Sequence, residues 1–303
     1  MKSREKNFIS VIVYLHNDGD NVVPFFQRLN SVLKEHFDKY ELIAVDDTCT
    51  DGSIVTLKKW AKDLDKPLTI LHMSLYQKRE NAMNAGLDCS IGDYVIEFDK
   101  VVDDLNFNLV FDAYNKTQEG NDVVSVSPNK VQGTSKLFYR IFNSSSKSTY
   151  ELTTDVFRVV TRRAINRVHA MSEYLPYRKA AYAASGLRMA TLYYDGSLKD
   201  ENKGRFSLAV NSLALYTDAG YKVSIGVTFT MLLIALCEII YTILIYCIGK
   251  PIEGWTTTML VLTFGFFGMF LILTIVIKYL SLLLDMSFRK QKYLIEGVEK
   301  IQK

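Results

Sequence analysis

The chain has 303 residues, of which 49% are hydrophobic and 23% are charged, and its net charge is +3. That length suits one large domain or two smaller ones, and so small a charge without a dense basic block argues against nucleic-acid binding. The averages hide a division, because residues 1–221 are mixed and charged whereas residues 222–288 are strongly apolar. No C-x-x-C pair occurs, which favours free thiols in a reducing compartment for the four cysteines, Cys49, Cys89, Cys237 and Cys247.

The first two thirds of the chain alternate between β-rich runs and segments with helical periodicity. Strands are predicted for FISVIVYLH, YELIAVDD, LTILHMS, GDYVIEFD and DVVSVS, and helices for VVPFFQRLNSVLKEHF, DGSIVTLKKWAKDL, KRENAMNAGLDCS and LNFNLVFDAYNKTQEG. Strands that alternate with helices are joined by crossovers, so we predict an α/β fold with a mostly parallel sheet flanked by helices. The first apolar run is too short for a signal peptide, which favours a cytoplasmic domain over residues 1–206.

Polar residues follow three of the predicted strands, at the edge where parallel α/β sheets bind their ligands. They are His16, Asn17 and Asp18 after the first strand, Asp46 and Asp47 at the end of the second, and Asp99 at the end of the fourth. Acids in these places can accept hydrogen bonds from a sugar or a base, or they can hold a hard cation that bridges phosphate oxygens. Neither G-x-G-x-x-G nor G-x-x-x-x-G-K-[ST] occurs, which argues against dinucleotide oxidoreductases and P-loop enzymes.

Each of these acids also has a structural alternative, as a helix N-cap or as the solvated end of a loop. The alternative is favoured for Asp51, and the two interpretations are equally open for Asp47. The ligand role is favoured for Asp46 and Asp99, because both close apolar strands. Lys100 is either a group that stabilises a leaving phosphate or a solvated loop residue.

Two long apolar segments follow, at about residues 224–248 and 256–284. Each is long enough for a helix that crosses a membrane, and the polar turn GKPIEGW between them predicts a hairpin. Two buried helices of a soluble core are the less favoured alternative, because such helices rarely lack a polar stripe. The turn contains one basic residue and the outer flanks contain four, so the first domain and the basic tail that ends residues 223–303 are expected on the cytoplasmic side of the cell membrane.

Residues 207–222, before the first span, have apolar residues at helical spacing. They predict either an interfacial helix on the inner leaflet or a surface helix of the first domain. Glu238, in the middle of the first span, is a functional candidate, or else a protonated glutamate or one that is hydrogen-bonded between subunits of a homo-oligomer. Lys278, in the second span, is expected to extend its ammonium group to the cytoplasmic surface.

Several motifs in this order are typical of one enzyme family. They are SVIVYLHNDGDN for an opening strand and its turn, ELIAVDDTCTDGS for V-D-D-G-S-x-D-G-[ST], SKLFYRIFN for a basic-aromatic helix, and TTDVFRVVTRRAI for a D-F-R segment followed by R-R. GWTTTMLVL and IKYLSLLLDMSFRKQKYLI match a second span and a basic tail. Over nearly its full length the chain resembles a family-2, GT-A-fold glycosyltransferase of the polyprenyl-phosphate type, similar to dolichol-phosphate-mannose synthase and the bacterial bactoprenol glucosyltransferases.

The resemblance implies roles for individual residues. It places a nucleotide beside His16, Asn17, Asp18, Asp46, Arg79 and Asp99, with a uracil base at Asp46. It implies Mg²⁺ or Mn²⁺ at Asp99 and Asp103, catalytic roles for Asp155 and Arg158, and a lipid phosphate at Arg140, Arg158 and Arg205.

The chain departs from the family's pattern at residues that carry chemistry. Val101 stands where the D-x-D motif has its second acid. Val156 stands where the family has its proposed catalytic aspartate, although Asp155 is adjacent. Tyr14 replaces a proline, and the Gly-Ser of the second motif is Thr48-Cys49. Because Mg²⁺ often takes only one or two carboxylates, the remaining acids are still a candidate metal site.

The implied reaction is the inverting transfer of a sugar from a nucleotide sugar, expected to be UDP-linked, to undecaprenyl or another polyprenyl phosphate. It would take place at the cytoplasmic face of the membrane, for modification of a cell-surface glycan. The alternative is a catalytically impaired homologue that acts as a regulatory or assembly partner. Both hypotheses include the membrane as a partner, leave a homo-oligomer open, and involve no nucleic acid.

Overall fold

A computed structural model describes residues 4–103, 105–130, 139–140, 143, 150–171, 175, 177–197, 254–288 and 293–302, with positions 226, 227, 230, 231, 233, 234 and 237. Of the helix 255–288, the side chains at 255–257, 259–260, 263–264, 281 and 284–288 are outside this description. The chain divides into two units, of which one consists of Met1–Leu208 with Lys290–Lys303 and the other of Ala209–Arg289. The predicted interfacial helix, Glu238 and Arg205 lie outside the described residues.

The first unit is built from strands and helices that alternate along the chain. Its strands are β1 (Glu5–Leu15), β2 (Phe37–Asp46), β3 (Leu68–Met73), β4 (Tyr94–Phe98), β5 (Val123–Lys130), β6 (Phe157–Thr161), β7 (Met189–Ser197) and β8 (Ile295–Ile301). Its described helices are α1 (Val22–His36), α2 (Ser53–Ala61), α3 (Lys78–Cys89), α4 (Asn108–Gln118), α5 (Arg162–Met171) and α6 (Arg178–Ala184).

All eight strands belong to one sheet, in the order β7-β5-β6-β4-β1-β2-β3-β8. Strand β1 pairs in parallel with β2 and β4, β2 with β3, and β5 with β7. Strand β6 runs antiparallel between β4 and β5, and β8 runs antiparallel to β3. The predicted α/β fold with a mostly parallel sheet is therefore confirmed, and the carboxyl ends of β1, β2, β3 and β4 meet at one edge.

Strand β8 was not expected from the sequence, which places residues 295–301 in a basic tail. In the structure these residues pair with β3 from Leu68 opposite Ile301 to Met73 opposite Ile295. Without them β3 would be an edge strand with unpaired backbone groups, which proteins commonly cover. The end of the tail is therefore part of the first unit, whereas the sequence had grouped it with the apolar segments of residues 223–303.

The main hydrophobic core lies on one face of the sheet, under α1, α2 and α4, where alternate residues of β1 (Ile9, Val11, Val13, Leu15) are fully buried. Helix α3 packs on the opposite face of β1 and β2. A Cβ atom at Gly86 of α3 would lie 2.5 Å from Ile12 Cγ2 and 2.8 Å from Val45 Cγ2. The helix therefore approaches the sheet more closely than a residue with a side chain would allow.

We expect Gly86→Ala to lower the free energy of unfolding by about 1–3 kcal/mol, because the added methyl group overpacks the contact between α3 and the sheet. Urea unfolding measures this change. The matched control is Gly297→Ala, where the new Cβ meets nothing within 4 Å, and its effect should stay within about 0.5 kcal/mol. Equal effects of the two substitutions would show that α3 can move away from the sheet at little cost.

The second unit contains the helix α7 (Trp255–Phe288), which has 34 residues. Many of its described apolar side chains are exposed, among them Phe267 at 64%, Met269 at 63% and Phe270 at 63%. Over the residues that the structure describes, no helix is found that is long and apolar enough to cross a membrane.

Candidate active site

Three loops at the carboxyl edge of the sheet contain a non-glycine residue with a left-handed backbone. They are Asn17 after β1 (φ 58°), Thr48 after β2 (φ 61°) and Lys78 at the start of α3 (φ 68°). Such conformations are unfavourable for residues other than glycine, and they cluster at functional sites. The strained positions mark the same edge of the sheet as the polar strand ends.

The loop after β1 brings together three residues that the resemblance assigns to the nucleotide. The main-chain N–H of His16 donates to Asp18 Oδ2 at 2.8 Å, and Asn17 Oδ1 accepts the N–H of Thr50 at 2.7 Å. The His16 ring lies 4.6 Å from the ring of Tyr76, centroid to centroid. Tyr76 is 53% exposed, so this pair offers an accessible aromatic surface beside the loop. The sequence did not identify Tyr76.

Asp46, the predicted partner of a base, has both carboxylate oxygens engaged. Its Oδ1 accepts the N–H of Cys49 at 2.8 Å, and its Oδ2 lies 2.8 Å from His72 Nδ1. The other ring nitrogen of His72 lies 3.5 Å from Glu299 of β8. A base that approaches Asp46 would therefore meet a carboxylate that is already fixed in orientation by two neighbours.

Asp47 holds the loop that precedes α3. Its Oδ1 accepts the N–H of Gln77 at 2.8 Å, and its Oδ2 accepts the hydroxyl of Tyr14 at 2.9 Å. Burial raises the pKa of Asp47, and these two hydrogen bonds act against that rise. The Gln77 side chain donates to the Leu294 carbonyl at 2.5 Å and accepts the Leu294 N–H at 2.9 Å. The segment just before β8 is thus tied to the loop that leads into α3, whose first turn contains Arg79.

Asp99 lies in a cluster of buried ion pairs organised around Arg158. The pairing of β4 with β6 sets Glu97 opposite Arg158. Arg158 Nη1 donates to Glu97 Oε2 at 3.1 Å, its Nη2 to Asp99 Oδ2 at 2.5 Å, and its Nε to Asp155 Oδ2 at 3.0 Å. The structure therefore joins both predicted catalytic residues to Asp99, and it adds Glu97.

Two cations from α6 complete this cluster. Arg178 is fully buried; its Nη2 donates to Asp99 Oδ1 at 2.5 Å, its Nε to Glu97 Oε2 at 3.0 Å, and its Nη1 lies 3.3 Å from Glu80 Oε2. Lys179 Nζ donates to Asp155 Oδ1 at 2.9 Å. The ion-pair cluster then comprises Glu80, Glu97, Asp99, Asp155, Arg158, Arg178 and Lys179.

The charges of the cluster shift the pKa values of its acids in different directions. Burial alone would raise the pKa of Asp99, but Arg158 and Arg178 hold that pKa well below its usual range. Burial likewise opposes the charges of Arg158 and Lys179 at Asp155, and the net result is a lowered pKa. At Glu80 burial prevails over Arg178, and the pKa is raised. Asp99 and Asp155 are therefore carboxylates, not proton donors, at neutral pH.

We expect the stability of the unit to fall as the pH drops below about 4. In the unfolded chain an aspartate has a pKa of about 3.9. Because the folded pKa values of Asp99 and Asp155 are lower, their contribution is complete above that pH and is lost as the pH falls through the folded values. Glu80 has the opposite effect on stability. Because burial raises its folded pKa, it takes up a proton more readily in the folded state, which favours folding as the pH falls.

Urea unfolding at pH 6, 4 and 3 measures this dependence. The variant Asp155→Asn has one titrating group fewer and should show a shallower loss of stability between pH 4 and pH 3. An unchanged slope would mean that Asp155 does not titrate with unfolding.

The other predicted site residues lie at varied distances from this cluster. Arg79 is half-buried, and its charge contributes to the lowered pKa of Asp99. Burial raises the pKa of Asp18, and the charge of Asp103 adds to that rise, which associates Asp103 with the loop after β1. Arg140 is exposed, and no contact brings it into the ion-pair cluster among the described residues.

The sequence contained a signal for some residues of the cluster that were missed. Glu97 interrupts the apolar strand YVIEF, and Arg158 interrupts FRVV. A charged residue inside an apolar strand is almost never fully buried unless it is paired. One acid and one base that each interrupt an apolar strand therefore predict a buried ion pair between the two strands. Arg178 and Lys179 in RKAAYAA would instead be expected at a solvated helix start.

A divalent cation at Asp99 does not fit the residues that are present. Both oxygens of Asp99 already accept from arginines at 2.5 Å, and these cations would oppose Mg²⁺ or Mn²⁺. Val101 offers no ligand, and the main-chain oxygen of the exposed Asp103 accepts from Arg28 at 2.6 Å. The described residues include no group of three or more His, Cys, Asp or Glu side chains that could hold a metal.

The sequence of this chain is similar to those of several glycosyltransferases. The uncharacterized glycosyltransferase sll0501 of Synechocystis sp. is 26% identical over 194 residues, which are 62% of this chain and 60% of that protein. The dodecaprenyl-phosphate galacturonate synthase of Rhizobium johnstonii is 28% identical over 91 residues, 30% of this chain and 27% of that protein. In both cases the match spans less than two thirds of the relative.

The fold has a counterpart among solved structures. The mannosyltransferase PcManGT of Pyrobaculum calidifontis, solved in complex with GDP-Man and Mn²⁺, superposes with a TM-score of 0.53 at 14% identity. The superposition covers 72% of this chain and 64% of that one, and it supports a GT-A α/β fold. The family described as Glycosyl transferase family 2 matches residues 10–175, more than half of the chain. The chain therefore belongs to glycosyl transferase family 2.

Proposed function

We propose that the protein transfers a sugar from a nucleotide sugar to a polyprenyl phosphate, with inversion at the anomeric carbon. The observation that carries the proposal is the position of the ion-pair cluster in a family-2 domain. Asp99, Arg158 and Arg178 lie at the carboxyl end of β4, on the sheet edge that also contains His16 and Asp46. Ligands of open α/β sheets bind in the crevice at this edge.

The reaction is a single displacement. An ionised oxygen of the lipid phosphate attacks the anomeric carbon, the new C–O bond forms as the bond to the nucleoside diphosphate breaks, and the diphosphate leaves with the electron pair. A phosphate oxygen that is already ionised needs little help from a general base. The main tasks of the protein are to align the two substrates and to stabilise the charge on the departing diphosphate. The basic groups at the sheet edge are suited to both tasks.

A lipid acceptor is supported by two observations of different kinds. The name of the Rhizobium relative includes a polyprenyl phosphate, and that relative shares 91 aligned residues with this chain. The exposed apolar side chains of α7 are suited to a lipid environment. We propose that residues 224–248 and 256–284 span the cell membrane, with the first unit and both termini on the cytoplasmic side. A UDP-linked donor is proposed from the resemblance of the second motif.

The test is a transfer assay with the purified full chain. It combines undecaprenyl phosphate in detergent with a panel of UDP-sugars and GDP-mannose, and mass spectrometry detects the sugar-phosphate lipid. Formation of one such lipid supports the proposal. If the chain binds no nucleotide and forms no product with any donor, the proposal fails, and the interpretation as a regulatory or assembly partner is favoured instead.

We expect Asp155→Asn to lower kcat about 10-fold without changing the shape of the pH–rate profile between pH 6 and pH 9. Asp155 accepts from Arg158 and Lys179 and has a lowered pKa, so it is suited to positioning these cations and not to removing a proton. A general base would instead impose an acidic limb on the profile that disappears in the variant. The loss of such a limb would assign the base role to Asp155.

A further inference from the structure

We propose that this chain binds the diphosphate of its donor through guanidinium groups, with Arg79 as the direct ligand, and that this binding requires no divalent cation. The inference rests on the proposed function, because it concerns the donor site of that reaction. It differs from the metal site that the resemblance implies. Three features of the described residues carry it.

The first feature is the state of Asp99. Arg158 and Arg178 each donate to a different oxygen of this carboxylate at 2.5 Å. Both arginines are themselves fixed, because Glu97 Oε2 accepts from both at 3.1 and 3.0 Å. Neither can turn away to expose Asp99 without leaving a buried charge unpaired. Each oxygen of Asp99 thus already accepts from a guanidinium group, whose positive charge would repel a divalent cation.

The second feature is the balance of charge. Together with Arg79, the ion-pair cluster contains four cations (Arg79, Arg158, Arg178, Lys179) and four acids (Glu80, Glu97, Asp99, Asp155). A site for a hard divalent cation needs carboxylate charge that is not already neutralised. The four acids are thus already balanced by four cations, which leaves no carboxylate charge free for a divalent ion.

The third feature is Arg79. Its Nε–H is buried and has no hydrogen-bond partner among the described residues. A buried donor without an acceptor is unfavourable, and an incoming phosphate oxygen would satisfy it. The residues that precede Arg79 are fixed, because Gln77 is held by Asp47 and by Leu294, and Lys78 has a φ of 68°. The planar fork of arginine matches two phosphate oxygens at once.

The experiment measures the affinity of the purified full chain for UDP and for GDP by isothermal titration calorimetry, in EDTA, in Mg²⁺ and in Mn²⁺. We expect the Kd of the nucleotide that binds to differ by less than about 3-fold between EDTA and either metal. Arg79→Ala should weaken binding about 10- to 100-fold in every buffer, the range for loss of a charge-assisted hydrogen bond. Arg79→Lys keeps the charge but loses the planar fork, so its nucleotide affinity should lie between that of the original chain and that of Arg79→Ala.

The control is Arg167→Ala. Arg167 is an exposed arginine of α5, a helix that begins next to Thr161 opposite Tyr94, at the other end of β4. The nucleotide affinity of the Arg167→Ala variant should equal that of the original chain. Nucleotide binding that is lost in EDTA and restored by Mn²⁺ would overturn this inference while leaving the proposed function intact. If neither nucleotide binds in any buffer, the proposed function fails and the inference fails with it.

Discussion

Replacing Arg178 with methionine is expected to lower the free energy of unfolding by about 3–5 kcal/mol at pH 8. Arg178 is fully buried and contacts Glu80, Glu97 and Asp99. Methionine fills a similar volume but leaves these acids with less neutralising charge, and an unpaired buried charge is costly in an apolar interior. Urea unfolding measures the change, with fluorescence of Trp60, which packs against Phe26, as the reporter in a Trp255→Phe background.

The deficit of the Arg178 variant should shrink as the pH falls from 8 to 5. Without the arginine the pKa values of the neighbouring acids rise, so these acids take up protons in the folded state and the unpaired charge disappears. Arg167→Met, at an exposed position of α5, is the matched control and should change stability by less than about 0.5 kcal/mol at either pH. A deficit that does not vary with pH would indicate lost packing as its cause.

Deletion of residues 293–303 is expected to lower the stability of the first unit by about 2–4 kcal/mol, from the loss of several hydrogen bonds. Strand β3 loses its pairing with β8, and Gln77 loses both of its hydrogen bonds to Leu294. Because Gln77 lies just before α3 and Arg79 in its first turn, the affinity for a nucleotide diphosphate should also fall, by about 10-fold.

Two further variants separate these effects. Deletion of residues 302–303 leaves every pair between β3 and β8 in place and should change neither quantity. Gln77→Ala removes the two side-chain hydrogen bonds to Leu294 and leaves those of Ser74 in place, so it should lower affinity more than stability. If the deletion of 293–303 lowers stability but leaves nucleotide affinity unchanged, β8 supports the sheet without positioning the loop.

The sequence predicted the part of the fold that depends on local patterns. Runs of β-rich apolar residues indicated β1 to β5, and the acids at the ends of β2 and β4 indicated the edge where the candidate site lies. The ion-pair cluster could not be predicted in the same way. Its geometry depends on the antiparallel register that sets Glu97 opposite Arg158, and on α6, whose Arg178 lies 81 positions after Glu97. Periodicity carries no information about such long-range pairing.

The resemblance singled out Asp99 as a candidate ligand, but it did not reveal the surroundings of this carboxylate. A family motif assigns Asp99 to a metal because it records residue types at fixed spacing. The structure shows that Asp99 accepts from two arginines that come from different elements, β6 and α6. Val101 was the visible departure in the sequence. The arginines that bond Asp99 lie outside the D-x-D motif, and only the folded chain brings them together.

The pairing of β8 with β3 also has a consequence for biosynthesis. Ser74 and Leu294, which are hydrogen-bonded in the folded unit, are 220 positions apart in the chain. At a synthesis rate of about 5–20 residues per second, β3 stays without its edge partner for roughly 10–40 seconds after it is made. During that interval the ribosome produces the whole apolar region of residues 222–288. If that region enters a bilayer as we propose, its insertion begins before the sheet is closed, and the first unit forms its last strand pair only afterwards.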